Sequence, residues 1–187
     1  MSEKILLLAA NPDDTLRLKL GNEVRDIEEG LRRSRQRDRF EVGSKWAVRT
    51  HDLRRALLDE SPRFVHFCGH GAEQEGIYLE DEQGYAQLVK TEALASLFEL
   101  FSHSIECVIL NACYSDNQAE AISQHINYVI GMKQAISDRA AIEFAIGFYD
   151  AVGAGRTLEE SFKFGQNAIA LEGIPEEFTP IIKKKIV

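Results

Sequence analysis

The residues with the most chemistry in this chain are a histidine and a cysteine, each ending an apolar run. FVHFCGHG (64–71) is apolar until it stops at Gly69-His70-Gly71, and VILNACYSD (108–116) repeats the pattern with Cys113 in the histidine's place. A thiol at its usual pKa of about 8.5 is only a few per cent ionised near neutrality. An imidazole beside it can take the proton or stabilise the thiolate, which makes a nucleophile for acyl transfer. The glycines then have a use. Without side chains, Gly69 and Gly71 let the backbone turn sharply and approach a substrate. The N–H groups of Gly71 and Cys113 can form an oxyanion hole, each donor worth roughly 3 kcal/mol of transition-state stabilisation. Ser115 and Asp116 can cap a helix that begins just past the nucleophile, and its dipole favours a thiolate.

Plainer readings stand beside this one. A cysteine after a buried strand is commonly a small core residue, and a histidine near a strand end is commonly a hydrogen-bonded structural one. Zinc is a further alternative, because His66, Cys68 and His70 alternate onto one face of an extended run and Cys113 can complete a set. Zinc ligands usually come in closely spaced pairs, and no CxxC occurs, so no metal and no cofactor is expected. Neither GxxxxGK[ST] nor a strand-associated GxGxxG is present, which leaves nucleotide chemistry without support.

The elements that must position the two residues read as alternating strands and helices. KILLLAA (4–10) is a continuous aliphatic run, expected of a strand buried on both faces. Asn11-Pro12-Asp13-Asp14 breaks it, and Leu16, Leu20, Val24, Ile27 and Leu31 then recur at helical spacing. FEVGSKWAVR (40–49) reads as a second strand, followed by a helix capped by Thr50 and carrying Leu53 and Leu57. FVHFC (64–68) is the third strand, and residues 77–89 read as a hairpin around Glu82-Gln83-Gly84. Thr91 can cap a helix with Leu94, Leu97, Phe98 and Phe101. CVILNA (107–112) is a fourth strand, Ala119, Ile122 and Ile126 mark a helix, and YVIGM (128–132) is a fifth strand. Two further helices carry Ala141, Phe144, Ala145 and Phe148, then Phe162 and Ile169 after Thr157. The tail FTPIIKKKIV (178–187) reads as an edge strand. This alternation predicts an α/β sandwich around a mostly parallel sheet. Such sheets gather ligands and reactive groups at the carboxyl ends of their strands, where His70 and Cys113 both fall.

Composition bounds the rest. The 187 residues, 44% hydrophobic and 28% charged, suit one soluble globular domain over 1–187. No run approaches the roughly 18 to 20 apolar residues of a membrane helix, and MSEKILLLAANPDD reads as a first strand rather than a signal peptide. Three cysteines, an odd number, point to free thiols in a reducing cytoplasm. A net charge of −8 weighs against broad nucleic-acid or anionic-membrane binding. The exception is LRRSRQRDRF, whose Arg32, Arg33, Arg35, Arg37 and Arg39 read as a solvated helix end, with partner docking or RNA contact as the alternative.

Taken together, FVHFCGHG and VILNACYSD resemble the His and Cys motifs of caspase-like cysteine peptidases, specifically the CHAT family. The caspase QACxG signature is absent, with NACYSD in its place. The resemblance continues through KILLLAANPDDTLRLKLGNEVRDIEEGL and YVIGMKQAISDRAAIEFAIGFYDAVGAGRTLEESFKFGQNAI, so it covers nearly the whole chain. It implies a caspase-like α/β/α sandwich with His70 as general base or imidazolium partner and Cys113 as nucleophile. It also implies oxyanion donors at Gly71 and Cys113. An S1 pocket built from the loop after the first strand and the surroundings of the cysteine would hold Asp13, Asp14, Asn111 and Asp116. Those acids would favour a basic P1 residue by charge pairing. Arg17 keeps an acidic P1 open, and helix capping is the bland role for Asp13, Asp14 and Asp116.

The partners this implies are a protein substrate and a regulatory protein acting in trans, since many CHAT domains are fused to sensor modules and nothing else is read in this chain. A latent, zymogen-like form is expected, with Gly71–Ala86 as its mobile loop. A homodimer through the tail strand and an effector role in bacterial defence or cell death follow by family analogy. The competing function is a catalytically silent CHAT-like binding or scaffold module.

Overall fold

The structure is a computed structural model that describes residues 2–186. Its centre is a six-stranded sheet built from β1 (Glu3–Ala9), β2 (Phe40–Lys45), β3 (Phe64–Cys68), β7 (Cys107–Asn111), β8 (Tyr128–Met132) and β9 (Pro180–Lys184), in the order β2-β1-β3-β7-β8-β9. All neighbours pair parallel except β8 and β9. A second sheet of β4 (His70–Gly71), β5 (Gly76–Glu80) and β6 (Ala86–Lys90) is antiparallel and branches from the end of β3.

Aliphatic side chains on both faces of a strand require a cover on both sides. Ile5, Leu7 and Ala9 of β1 pack into one core with α1 (Leu20–Arg33), α5 (Asp138–Gly153) and α6 (Leu158–Leu171). Leu6 and Leu8 point the other way, into a core with α2 (Thr50–Glu60), α3 (Thr91–Glu99) and α4 (Asp116–Ser123). The alternation explains why KILLLA has no polar face: each side chain is claimed by one helical layer or the other.

Most expected elements appear within a residue or two, and the exceptions have local causes. The helix expected from Leu16 starts at Leu20, and Leu16 is 80% exposed. The Asn11 side chain brackets Leu18, donating to its carbonyl at 3.0 Å and accepting from its N–H at 3.2 Å, while Thr15 closes onto the Pro12 carbonyl at 2.7 Å. These bonds hold 11–19 as a loop. The second strand ends at Lys45 rather than residue 49, because Ala47 takes a positive φ of 50°. Within 71–86, Gly71, Gly76–Glu80 and Ala86 are strand, joined by two turns, and Gln118 of α4 grips the first turn through the Glu73 carbonyl at 3.2 Å. The tail strand runs Pro180–Lys184 at a sheet edge, and Val187, its expected last residue, lies outside the described residues.

The arginine-rich stretch ends α1 and leads into β2 at the amino edge of the sheet, opposite the rim where His70 and Cys113 emerge. Arg39 is paired with Glu3 at 2.9 Å and Arg33 with Glu29 at 3.7 Å. No helix among the described residues is long and apolar enough to cross a membrane.

Candidate active site

β3 and β7 are adjacent and in register, Cys68 opposite Asn111, so the two residues that follow each strand by two positions reach the same rim. Strand side chains alternate faces. Phe64 and Cys68 of β3 and Cys107 and Ile109 of β7 line the core beneath α1 and α5. Continuing that alternation directs His70 and Cys113 to the α1/α5 side of the rim, between the first turns of those helices. The surroundings agree. The Leu16 carbonyl and the Asp138 carboxylate both act on the His70 ring, and the Cys113 sulfur meets the backbone of Ile136.

The two turns are packed backbone against backbone. A β-carbon at Gly71 would overlap the Cys113 carbonyl oxygen and lie 3.0 Å from its carbonyl carbon. A glycine is therefore required at 71 by close approach. The turn that carries Cys113 is pinned from below by Ser115, whose buried hydroxyl donates to the Leu110 carbonyl and accepts from the Met132 N–H, both at 2.9 Å. Ser115 sits at the N-cap position of α4, but that hydroxyl makes no capping bond, so the capping role expected for it is filled by a strand-bridging one. Tyr114, exposed beside the cysteine, holds a φ of 53°, an uncommon conformation for a bulky side chain.

Two N–H groups are available at the turn. That of Cys113 has no acceptor among the described residues. That of Gly71 is fixed by the hairpin pattern. Ala72 donates to the Gly76 carbonyl at 2.9 Å, which makes Ala72–Gly76 a hydrogen-bonded pair and Gly71–Ile77 the next, non-hydrogen-bonded one. The Gly71 N–H therefore points away from β5.

His70 is half-buried, and burial lowers its affinity for a proton below the ordinary imidazole value, opposed by the Leu16 carbonyl and by Asp138. Its Nε2 has no hydrogen-bond partner among the described residues. The Cys113 thiol is not bonded to it. Its Sγ donates to the Ile136 carbonyl at 3.5 Å and accepts from the Ile136 N–H at 3.4 Å. Cys68 and Cys107 are fully buried, and burial raises both thiols well above their usual range.

The acids expected around an S1 pocket do not converge. Asp13 lies in a cleft of about 340 Å³ after β1, lined also by Asn11, Arg17, Trp46 and Glu80, and is paired with Arg17 at 3.3 Å. Asp14 instead accepts from the Ala86 N–H at 2.7 Å, and Asp116 opens α4. Asn111 is 4% exposed, and its amide donates to Glu23 at 2.6 Å and to the Ala141 carbonyl at 3.0 Å. Asn111 thus faces the core under α1 and α5 rather than the cleft that Asp13 lines. The zinc alternative is regrouped as well. Glu23, His66 and Cys68 have donor atoms within 4.8 Å of one another. His66 Nε2 is bonded to Glu23 at 2.7 Å and the Cys68 thiol to the Leu8 carbonyl at 3.6 Å, so the protein already satisfies them.

Sequence reasoning missed Leu16, Ile136, Asp138 and Glu23. The first two act through backbone atoms, which carry no residue signature. Asp138 follows the capping Ser137 and reads as a helix-start acid. Glu23 is the one acid on the apolar stripe of α1, a visible anomaly.

The sequence matches the CHAT domain family over residues 3–173. It is 25% identical over 169 residues to a probable protease of Gillisia limnaea, covering 88% of this chain and 30% of that protein. It is 23% identical over 183 residues to a Roc-COR-CHAT protease from an unknown prokaryotic organism, covering 94% of this chain and 17% of that one. The chain thus spans less than a third of the length of either relative. Among solved structures, the fold is similar to a secreted C11 cysteine protease from Bacteroides thetaiotaomicron in complex with an irreversible peptide inhibitor. That match has a TM-score of 0.72 and 12% identity, and covers 98% of this chain and 66% of that one. The Arg-specific cysteine proteinase gingipain R is similar with a TM-score of 0.63 and 12% identity, over 93% of this chain and 43% of that one.

Proposed function

The chain belongs to the CHAT domain family, and we propose that it is a cysteine endopeptidase in which His70 and Cys113 form the catalytic dyad. The observation that carries this reading is the backbone contact between Gly71 and Cys113, beside a histidine whose Nε2 is buried without a partner. Protease-named relatives and the cysteine-protease fold support it.

In this reaction His70 Nε2 accepts the Cys113 proton, and Sγ attacks the scissile carbonyl carbon. The oxyanion that forms takes hydrogen bonds from the N–H groups of Cys113 and Gly71. Collapse of the tetrahedral intermediate breaks the C–N bond, and the imidazolium returns its proton to the leaving amine. Water, deprotonated by the same ring, then hydrolyses the thioester and restores the thiol. A ring whose proton affinity burial has lowered is neutral near pH 7 and free to act as this base.

The P1 residue is basic in this reading. Asp13 and Glu80 share the cleft after β1, and a cationic side chain would be drawn to them. Arg17, paired with Asp13, is the residue that would instead favour an acidic P1. The thiol's engagement with Ile136 rather than His70 supports a latent resting form, activated in the cytoplasm by a partner acting in trans. The outer edge of β9, unpaired among the described residues, is where a second copy would add a strand. The same parked thiol is the observation that favours the second reading, a silent binding module.

Hydrolysis of a pool of fluorogenic peptides varied at P1, by wild type and by Cys113→Ala, separates these readings. Cleavage after Lys or Arg that disappears in the variant is the expected result. Cleavage after Asp would move the pocket to Arg17. No cleavage, together with iodoacetamide labelling of Cys113 no faster than that of a free thiol, would leave a zymogen awaiting its partner or the scaffold reading.

A further inference from the structure

Beneath the rim, on the same face as the proposed dyad, lies a buried polar network that the reaction itself does not use. Glu23 of α1 is 2% exposed and His66 of β3 is 0% exposed. One carboxylate oxygen, Glu23 Oε1, accepts from His66 Nε2 at 2.7 Å and from Asn111 Nδ2 at 2.6 Å. His66 is four residues before His70 on β3, and Asn111 is two residues before Cys113 on β7. The network extends to α5 twice: Tyr149 Oη lies 3.2 Å from His66 Nδ1, and Asn111 Nδ2 also donates to the Ala141 carbonyl at 3.0 Å.

We infer that Glu23, His66, Asn111 and Tyr149 are positioning residues that set α1 and α5 against the ends of β3 and β7, and thereby set the geometry of His70 and Cys113. This rests on the dyad proposed above. α1 is the helix behind the loop whose Leu16 carbonyl acts on His70, and α5 starts from the turn whose Ile136 holds the Cys113 sulfur. The two turns are joined directly, since the Lys19 N–H donates to Asp138 at 3.0 Å. A slide of either helix along the sheet would therefore carry a group that touches the dyad.

Stability alone is a poor account of this cluster. Buried ionisable pairs often contribute less than well-packed apolar residues of the same volume. Here Asn111 Oδ1 is left with no partner among the described residues, a cost an apolar side chain would not incur. Surrounding positions on the same stripe of α1 are Leu20, Val24, Ile27 and Leu31, so an apolar residue at 23 would extend an existing core. What the carboxylate adds is a fixed register between one helix and two strands.

The test uses Glu23→Gln, which keeps shape, and Tyr149→Phe, which removes one hydroxyl. Two readouts apply: kcat and KM on the best peptide, and the iodoacetamide labelling rate of Cys113 by mass spectrometry. Buried Cys68 and Cys107 report folding, because only unfolded protein takes up three labels. A misplacement of about 1 Å remote from the chemistry can cost roughly a hundredfold. We expect Glu23→Gln to lower kcat by about 10- to 100-fold with KM within about twofold, and to change the Cys113 labelling rate at single-label stoichiometry. Tyr149→Phe should act in the same direction and less. Wild-type kcat and labelling in both variants would overturn the inference, as would losses that track the appearance of second and third labels. If wild type cleaves no peptide, the peptidase reading goes without support, and the labelling comparison still decides whether the network positions Cys113.

Discussion

Gly71 and Cys113 touch through their backbones, so that the space for a β-carbon at 71 is already filled by the Cys113 carbonyl oxygen. Neither atom belongs to a flexible side chain, so Gly71→Ala must displace one of the two turns. We expect kcat/KM to fall by about a hundredfold or more, the scale of a 1 Å misplacement, with far-ultraviolet circular dichroism retained. Gly43 of β2 has nothing within 4 Å of the same added carbon, so Gly43→Ala is the control and should leave activity unchanged.

His70 sets the pH response. Burial lowers its proton affinity in the folded protein, so the acid limb of kcat/KM should have its midpoint below the ordinary imidazole value of about 6.5. The same shift bears on stability. Between the folded and unfolded values the unfolded chain binds the proton and the folded one does not, so this histidine's contribution is complete above about pH 6.5 and declines as pH falls through that value. His70→Asn should thus lose less stability than wild type between pH 7 and pH 5 in urea titrations. An equal loss in both proteins would remove His70 as the cause.

Asp138 favours the protonated ring, second to the Leu16 carbonyl. Asp138→Asn keeps an oxygen for the Lys19 N–H, which the carboxylate now accepts at 3.0 Å, while removing the charge. The acid limb should move to lower pH than in wild type, and the plateau rate should change by less than about tenfold. A limb that stays in place would show that the carboxylate is screened from the ring.

How much of this was legible in the residues follows from where each piece of information resides. The strands were, because KILLLA, FVHFC and CVILN have side chains that need cover on both faces, and a run of that kind has few other solutions. That His70 and Cys113 reach one rim was, because each follows by two residues a run that reads as a buried strand. The start of α1 was not. Leu16 continues the apolar spacing, and only the tertiary bracket from Asn11 to Leu18 keeps it out of the helix. The burial of Asn111 was not, because a strand end looks alike whether its last side chain points to solvent or to Glu23; the alternation from Cys107 through Ile109 gives its face. The acids at 13, 14 and 116 were read as one group from their proximity to the motifs. In the structure the hairpin β5–β6 takes up Asp14 through the Ala86 N–H, Asp13 pairs with Arg17, and Asp116 opens α4.

Ser115 offers a way to ask whether the nucleophile's turn depends on the sheet below it. Its hydroxyl is 0% exposed and joins the Leu110 carbonyl of β7 to the Met132 N–H of β8. Ser115→Ala leaves that N–H buried without an acceptor, which should cost about 1–3 kcal/mol and lower the melting temperature by roughly 2–4 °C for each of those kcal/mol. Ser115→Thr keeps the hydroxyl but adds a methyl to a closed site. Gly131 shows how closed: a β-carbon there would lie 2.6 Å from the Ser115 carbonyl oxygen. Threonine should therefore be destabilising as well, by overpacking. The informative comparison is catalytic. If the hydroxyl holds the Cys113 turn in place, alanine should lower kcat several-fold at temperatures where the protein is fully folded, and KM should not change. If kcat is unaffected while the melting temperature falls, the bridge between β7 and β8 stabilises the sheet alone, and the turn is held by its contact with Gly71.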